Sequence, residues 1–197
     1  MDRKSRKGLV LWQARQQLGS EGAEGLRMSE LAHACEMSAR TLYLLFPSRE
    51  ALLEAVYLKA LEELEASIER ALFESSEPRE AHQNMWRALA DIFEHERLGS
   101  VLLELERIRH RFGDYAARSS GATSPALLRF LDDARVRGVV KDARVEELAG
   151  MVWALFTSAV GRGADRRALA LAERCCWDAL CAPRGRVLSE RLRARPH

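Results

Sequence analysis

The sequence lacks the usual marks of a secreted, membrane-spanning or catalytic protein. Its four cysteines (Cys35, Cys175, Cys176, Cys181) fall into no CxxC spacing. That argues against a zinc ribbon or a disulfide-stapled secreted domain and leaves them as small buried apolar residues. Twelve glycines and five prolines in 197 residues are too few for a disordered or fibrous chain. The longest uncharged run, Leu148 to Gly161, is 14 residues, short of the roughly 20 that a spanning helix needs. Arg3, Lys4, Arg6 and Lys7 open the chain, but only Gly8 to Ala14 is uncharged before Arg15, with no small-residue cleavage site after it. This predicts no signal peptide and a cytoplasmic location. There is no GxSxG, HExxH or phosphate-binding glycine loop, and no carboxylate pair in a catalytic context, so neither an enzyme nor a cofactor is expected. His82 and His95 have no partners at metal spacing. Glu106 and His110, at i and i+4, could share a metal but read better as a surface pair.

What remains is 47% apolar and 30% charged residues, ordinary for one large or two small globular domains. Charge is uneven along the chain. Residues 1–50 hold eight Lys/Arg against six Asp/Glu, and residues 184–197 hold five Arg against Glu190, so the 133 residues between carry an excess of four negative charges. A basic nucleic-acid-binding end on an acidic body fits this distribution, with 184–197 read as a solvated Arg-rich tail.

No alternating strand pattern of useful length occurs, whereas 3.6-residue periodicity recurs throughout, which predicts an all-α protein of about nine helices. The first helix is expected over Arg3 to Leu18, stopping before Gly19 to Gly25. A short second helix spans Met28 to Cys35, and a third runs from the N-cap Ser38 to Phe46 before Pro47. Ser48 caps a fourth that reaches about Glu74 without a breaker. Pro78 opens a fifth and a sixth follows Gly99; Gly113 to Thr123 reads as a loop. Ser124-Pro125 starts a seventh that Gly138 ends. Asp142 is expected to cap an eighth through Val160, and Asp165 a ninth ending near Cys181.

Two short helices about three residues apart fit a helix-turn-helix, whose second helix enters the major groove. The run from Leu31 to Leu53, LAHACEMSARTLYLLFPSREALL, closely resembles the DNA-binding segment of the TetR family of transcriptional regulators. The likeness extends back through Gly22, Leu18, Ala14, Leu11 and Val10 to cover about residues 8–57, and T-L-Y-x-x-F-x-S-[KR]-E is its most specific part. The residues make chemical sense in that role. Thr41 and Tyr43 carry hydroxyls on the side of the helix opposite Leu42, Leu45 and Phe46, where they can donate to phosphate oxygens. Arg49, in the first turn of the next helix, places a cation beside free backbone N–H groups. The resemblance implies that Thr41, Tyr43 and Arg49 contact the DNA backbone.

Three positions depart from the family. Glu36 stands where a glycine is usual, in the turn between the two helices, where a positive φ costs about 1 kcal/mol more in Glu than in Gly. Arg40 replaces a second common glycine and can reach G O6/N7, which makes it the best candidate for base reading, alongside Ala39 and Leu44. Arg27 replaces a phosphate-binding Thr and can make the same contact with added charge.

The resemblance also implies an effector cavity in the C-terminal body. Trp86, Phe93, Phe112, Phe130, Trp153 and Phe156 are candidates to line it, with His82, His110 or Tyr115 as polar groups, for an uncharged or weakly polar ligand; a packed core is the simpler account of each. Apolar stripes at Leu148, Val152, Leu155, Phe156 and Ala159 and at Ala168, Ala172, Cys175, Cys176 and Ala179 predict a four-helix homodimer interface. The expectation is a three-helix DNA-binding domain (1–50), a regulatory and dimerisation domain (51–183) and a tail (184–197). Together these make a repressor on palindromic double-stranded operator DNA, released by a small molecule and bound to no membrane. The rival is a helical ligand-binding or adaptor protein without specific DNA recognition.

Overall fold

The computed structural model describes residues 3–95, 97–114, 119–163 and 165–182. Tyr115 and the Arg-rich 184–197 segment lie outside them. Among the described residues there are nine α-helices and no strand: α1 (Arg3–Gly25), α2 (Met28–Ala34), α3 (Ala39–Leu45), α4 (Arg49–Phe73), α5 (Pro78–His95), α6 (Arg97–Ile108), α7 (Pro125–Val136), α8 (Val145–Gly161) and α9 (Arg166–Leu180). The fold is all-α. Single 3₁₀ turns at Arg109–Arg111 and Gly121–Thr123 bracket the α6–α7 connection.

Helix α4 is the axle. Its 25 residues extend about 37 Å at 1.5 Å per residue, and one side buries Leu52, Val56, Tyr57, Ala60, Leu64, Ile68 and Leu72 in succession. Helices α1, α5, α6 and α7 pack along it. The buried side chains of the first three helices and of the body belong to one continuous apolar cluster.

Capping follows the expected chemistry at most helix starts. Ser38, Ser48, Ser124 and Asp165 each accept a hydrogen bond from the backbone N–H three residues on, which satisfies one of the orphan donors of a first turn. Asp142 does not cap α8. The helix starts later, at Val145, and Asp142 pairs with Arg135 at 3.5 Å instead; Glu146 and Glu147 supply the favourable negative charge of the first turn.

The structure corrects two other boundaries. Helix α1 does not stop before Gly19; it runs on to Gly25 with Ala23 buried, and the break comes at Gly22, with φ 70° and ψ 178°. Helix α6 starts at Arg97, so Gly99 lies inside it. A Cβ on Gly99 would stand 2.5 Å from Phe93 Cα, so this glycine permits the close approach of α5 and α6 and is not a breaker.

The proposed dimer stripes divide. Leu148, Val152, Phe156, Ala159 and Cys176 are buried in the protein's own core. Leu155, Ala168 and Cys175 are exposed, and with them Met151, Ala154 and Leu171. The inner faces of both helices serve the monomer.

Candidate nucleic-acid interface

Helices α2 and α3 are joined by a turn in which Glu36 takes φ 52°. Glu36 N–H donates to His33 C=O and Met37 N–H donates to Ala32 C=O, both at 3.0 Å. This is a Schellman closure of α2, which calls for a left-handed residue at that point. Helix α3 then starts at Ser38, whose hydroxyl accepts from Thr41 N–H at 3.1 Å and lies 2.9 Å from the Thr41 hydroxyl.

Leu42, Leu45 and Phe46 anchor α3 in the core, and this sets what faces outward. Ala39, Arg40, Tyr43 and Leu44 form one exposed face, Tyr43 being 49% and Leu44 68% accessible. Thr41 lies at its edge, half-buried, with its hydroxyl engaged by Ser38. Arg27, exposed at the N-cap position of α2, is 3.6 Å from Glu30. The structure thus brings Ala39, Arg40, Tyr43 and Leu44 together and leaves Arg27 at the start of the neighbouring helix.

Arg49 is employed otherwise than the sequence suggested. Its guanidinium turns back under α1, donating from Nε to Leu26 C=O at 3.1 Å and from Nη2 to Ala23 C=O. From the other side, Glu104 of α6 accepts from Ala23 N–H at 3.2 Å, and its carboxylate stands 3.6 Å from where a Cβ on Gly22 would lie. The broken end of α1 is therefore held by an arginine of α4 and a carboxylate of α6. Arg111 reinforces the joint with ion pairs at 3.8 Å to Glu24 and Glu50.

Sequence reasoning missed two participants. Lys7 lies over the Phe46 ring at 5.6 Å, which puts a cation of α1 beside the end of the recognition helix; the basic cluster at residues 3–7 was its signal. Glu104 carried no signal, because nothing local distinguishes it from any other helical glutamate.

In the body, Trp86, Phe93 and Trp153 surround Phe156, with ring centroids at 5.4, 5.1 and 6.1 Å. Phe112 is apart, 5.6 Å from Tyr57, and Phe130 is buried on α7. Glu106 does not face His110; it accepts a hydrogen bond from the Tyr57 hydroxyl at 2.6 Å, while His110 is exposed. Burial, with the bond to Glu106, pushes the Tyr57 phenol well above its usual range. His82 is fully buried, with Nδ1 2.9 Å from Glu173 Oε1, and Arg79 binds both oxygens of the same carboxylate. No helix of the described residues is long and apolar enough to cross a membrane.

The family described as "Bacterial regulatory proteins, tetR family" matches residues 10–56, the segment that builds α2, α3 and both of their supports. Residues 10–56 carry the DNA-binding segment of that family. That segment is the helix-turn-helix of a family of bacterial regulatory proteins. Solved structures show the same fold over nearly the whole chain. A TetR family protein from Vibrio parahaemolyticus superposes with a TM-score of 0.73 at 21% identity, covering 90% of this chain and 100% of that one. A TetR family regulator from Marinobacter aquaeolei gives 0.73 at 18%, covering 91% and 97%. The TetR family regulator PfmR of Thermus thermophilus gives 0.62 at 22%, covering 87% and 96%. No curated protein matches the sequence.

Proposed function

We propose that the protein is a one-component repressor acting in the cytoplasm, a homodimer that binds palindromic operator DNA through α3 and is released by a small organic effector held in the body. In this reading residues 1–50 bind DNA, 51–183 bind effector and dimerise, and no catalytic step is involved. The observation that carries the reading is the exposed face of α3. Arg40, Tyr43 and Leu44 stand free on a helix whose other side is fixed in the core, as a groove-reading helix requires. Support for release comes from the joint at Ala23, where α6 of the body and α4 both grip the end of α1. A shift of α6 against α4 would re-aim α3, and a ligand can drive it by its differential affinity for the two arrangements. Support for the dimer comes from Met151, Leu155 and Leu171, which are 41%, 37% and 54% exposed on adjacent helices; two copies of α8 and α9 would bury them in a four-helix bundle.

The test is titration of fragments selected from the host genome at two salt concentrations. Sequence-selective, salt-dependent binding by a dimer is expected. Arg40→Ala should relax preference at one base pair at a cost of about 1–3 kcal/mol, and Tyr43→Phe should weaken all sequences alike. A monomer at micromolar concentration by sedimentation would overturn the dimer, and binding without sequence preference would overturn the repressor.

A further inference from the structure

A cleft of about 520 Å³ opens between α5 and α9, within the size range of small-molecule sites. Its chemistry is mixed. Trp86, Ala90, Leu169 and Ala170 give it an apolar wall, and Arg87, Arg166 and Arg174 give it cations. Arg87 and Arg174 have no carboxylate partner among the described residues; Arg87 donates to the side-chain oxygen of Asn84, at 2.6 Å. Two carboxylates also border the cleft. Glu173 is already saturated, with Arg79 on both oxygens and His82 on one. Asp91 is then the acidic group of the cleft left to oppose Arg87 and Arg174.

The second observation lies in the wall. Trp86 is only 3% exposed and its indole N–H has no hydrogen-bond partner; one turn earlier on α5, His82 Nε2 is likewise buried without a partner. A buried polar group left unmade costs about 1–3 kcal/mol, so two neighbouring orphans on one helix face mark this part of α5 as set apart from ordinary core. Trp86 borders the open space, but its indole nitrogen is sealed from it, so the side chain offers the cleft an apolar surface.

We propose that the α5–α9 cleft is the binding site for an amphipathic organic acid: its apolar body lies on Trp86 and Leu169, and its negative charge is answered by Arg87 and Arg174. This rests on the reading of the body as an effector domain, and it replaces the uncharged ligand expected from the aromatic content with an anionic one. Phe93, Trp153 and Phe156 then serve as the packed wall behind Trp86.

The probe is 2-naphthoate, with 2-naphthamide as its uncharged counterpart, added to the full-length protein labelled with ¹⁵N at its four tryptophans. The Trp86 indole signal is the one missing in Trp86→Phe. It should move on addition of naphthoate, with the amide binding at least about tenfold more weakly, as expected for the loss of a charge-assisted contact. The exposed pair Arg87→Gln/Arg174→Gln should lose at least as much while folding normally. An unmoved Trp86 signal at millimolar naphthoate, equal affinity for acid and amide, or full affinity in the double variant would each overturn the proposal. Operator titration in the presence of naphthoate separates this site from the release mechanism. A moved Trp86 signal with unchanged DNA affinity upholds the site and removes naphthoate-type acids as inducers. Release by a compound that leaves Trp86 unmoved upholds release and overturns this cleft as its site.

Discussion

The recognition helix shows Tyr43 and Leu44 to solvent, about half and two thirds exposed, whereas the body buries Phe156 completely in a ring of Trp86, Phe93 and Trp153. The difference matters for inference. A large side chain held outward on a short, well-anchored helix has no packing reason to be there, so its presence points to a partner. A large side chain in the core already has its explanation. In the body the informative groups are therefore the polar ones that packing leaves unsatisfied, such as the Trp86 N–H. The two regions also use arginine differently. Arg49 stitches backbone carbonyls at a helix end, and Arg79 neutralises a carboxylate between two helices.

The largest effect should come from asking whether the two regions are separable. Phe156→Ala empties a fully buried site and should cost about 3–5 kcal/mol. Because one apolar cluster runs from α1 to α9, the recognition helix should melt with the body in a single calorimetric transition. A second transition retaining DNA binding would show that the first three helices stand alone.

Legibility in the sequence follows the same division. The turn at Glu36, the Ser38 and Ser48 caps and the outward face of α3 are local events, each set within four residues, and the sequence carried them. The clamp on Ala23 joins residues 26 and 81 positions apart, and the Glu173 cluster joins residues 91 and 94 apart. No local pattern encodes such contacts, so Arg49 read as a free cation and His82 as a generic polar group. Periodicity named α8 and α9 as dimer helices but could not tell a face turned to the monomer's core from one turned outward.

Arg49 offers the next largest contrast. Arg49→Ala removes the donors for Ala23 and Leu26 C=O and should destabilise the protein by about 1–3 kcal/mol, with weaker DNA binding at every sequence because α3 loses its mounting. Arg49→Lys should recover little, since an ammonium cannot match the planar fork that reaches both carbonyls. Denaturant midpoints measured beside DNA titrations decide it. Full stability with lost affinity would mean that the guanidinium serves phosphate directly.

Acid should act on the body. His82 is held below its ordinary 6.5, chiefly by desolvation, with the pull of Glu173 opposing. Its folded state favours the neutral imidazole, so the unfolded chain takes up more protons below about pH 6.5 and stability falls from there downward. Glu173 follows at lower pH. Against burial, which alone would raise it, the hydrogen bonds from His82 and Arg79 hold its carboxyl below the usual 4.5, and that contribution disappears as pH falls through its folded value. Unfolding midpoints across pH 7 to 4 should decline, and His82→Asn should flatten the upper part of the curve. An unchanged slope in that variant would place the titration elsewhere.

The smallest and most local test concerns the turn itself. Helices α2, α7 and α8 all close through a residue with positive φ, at 52°, 70° and 66°, but α7 and α8 use Gly138 and Gly163 while α2 uses Glu36. Only Glu36 carries a Cβ into that conformation, where an L side chain crowds its own backbone. Glu36→Gly removes the crowding, and the greater freedom of glycine in the unfolded chain offsets part of the gain. A net stabilisation of about 0.5–1 kcal/mol is expected. Glu36 is exposed and makes no ion pair among the described residues, so no other interaction is lost with the side chain. The sign of the effect on DNA binding is the informative part. If Glu36 merely tolerates strain, the variant binds operator as before or slightly better. If the carboxylate beside the recognition helix holds back non-specific phosphate contact, the variant gains affinity for all DNA alike and its preference for operator narrows. Parallel titrations of operator and scrambled duplex at one salt concentration distinguish these, and a destabilised Glu36→Gly would contradict the left-handed turn on which the helix-turn-helix geometry depends.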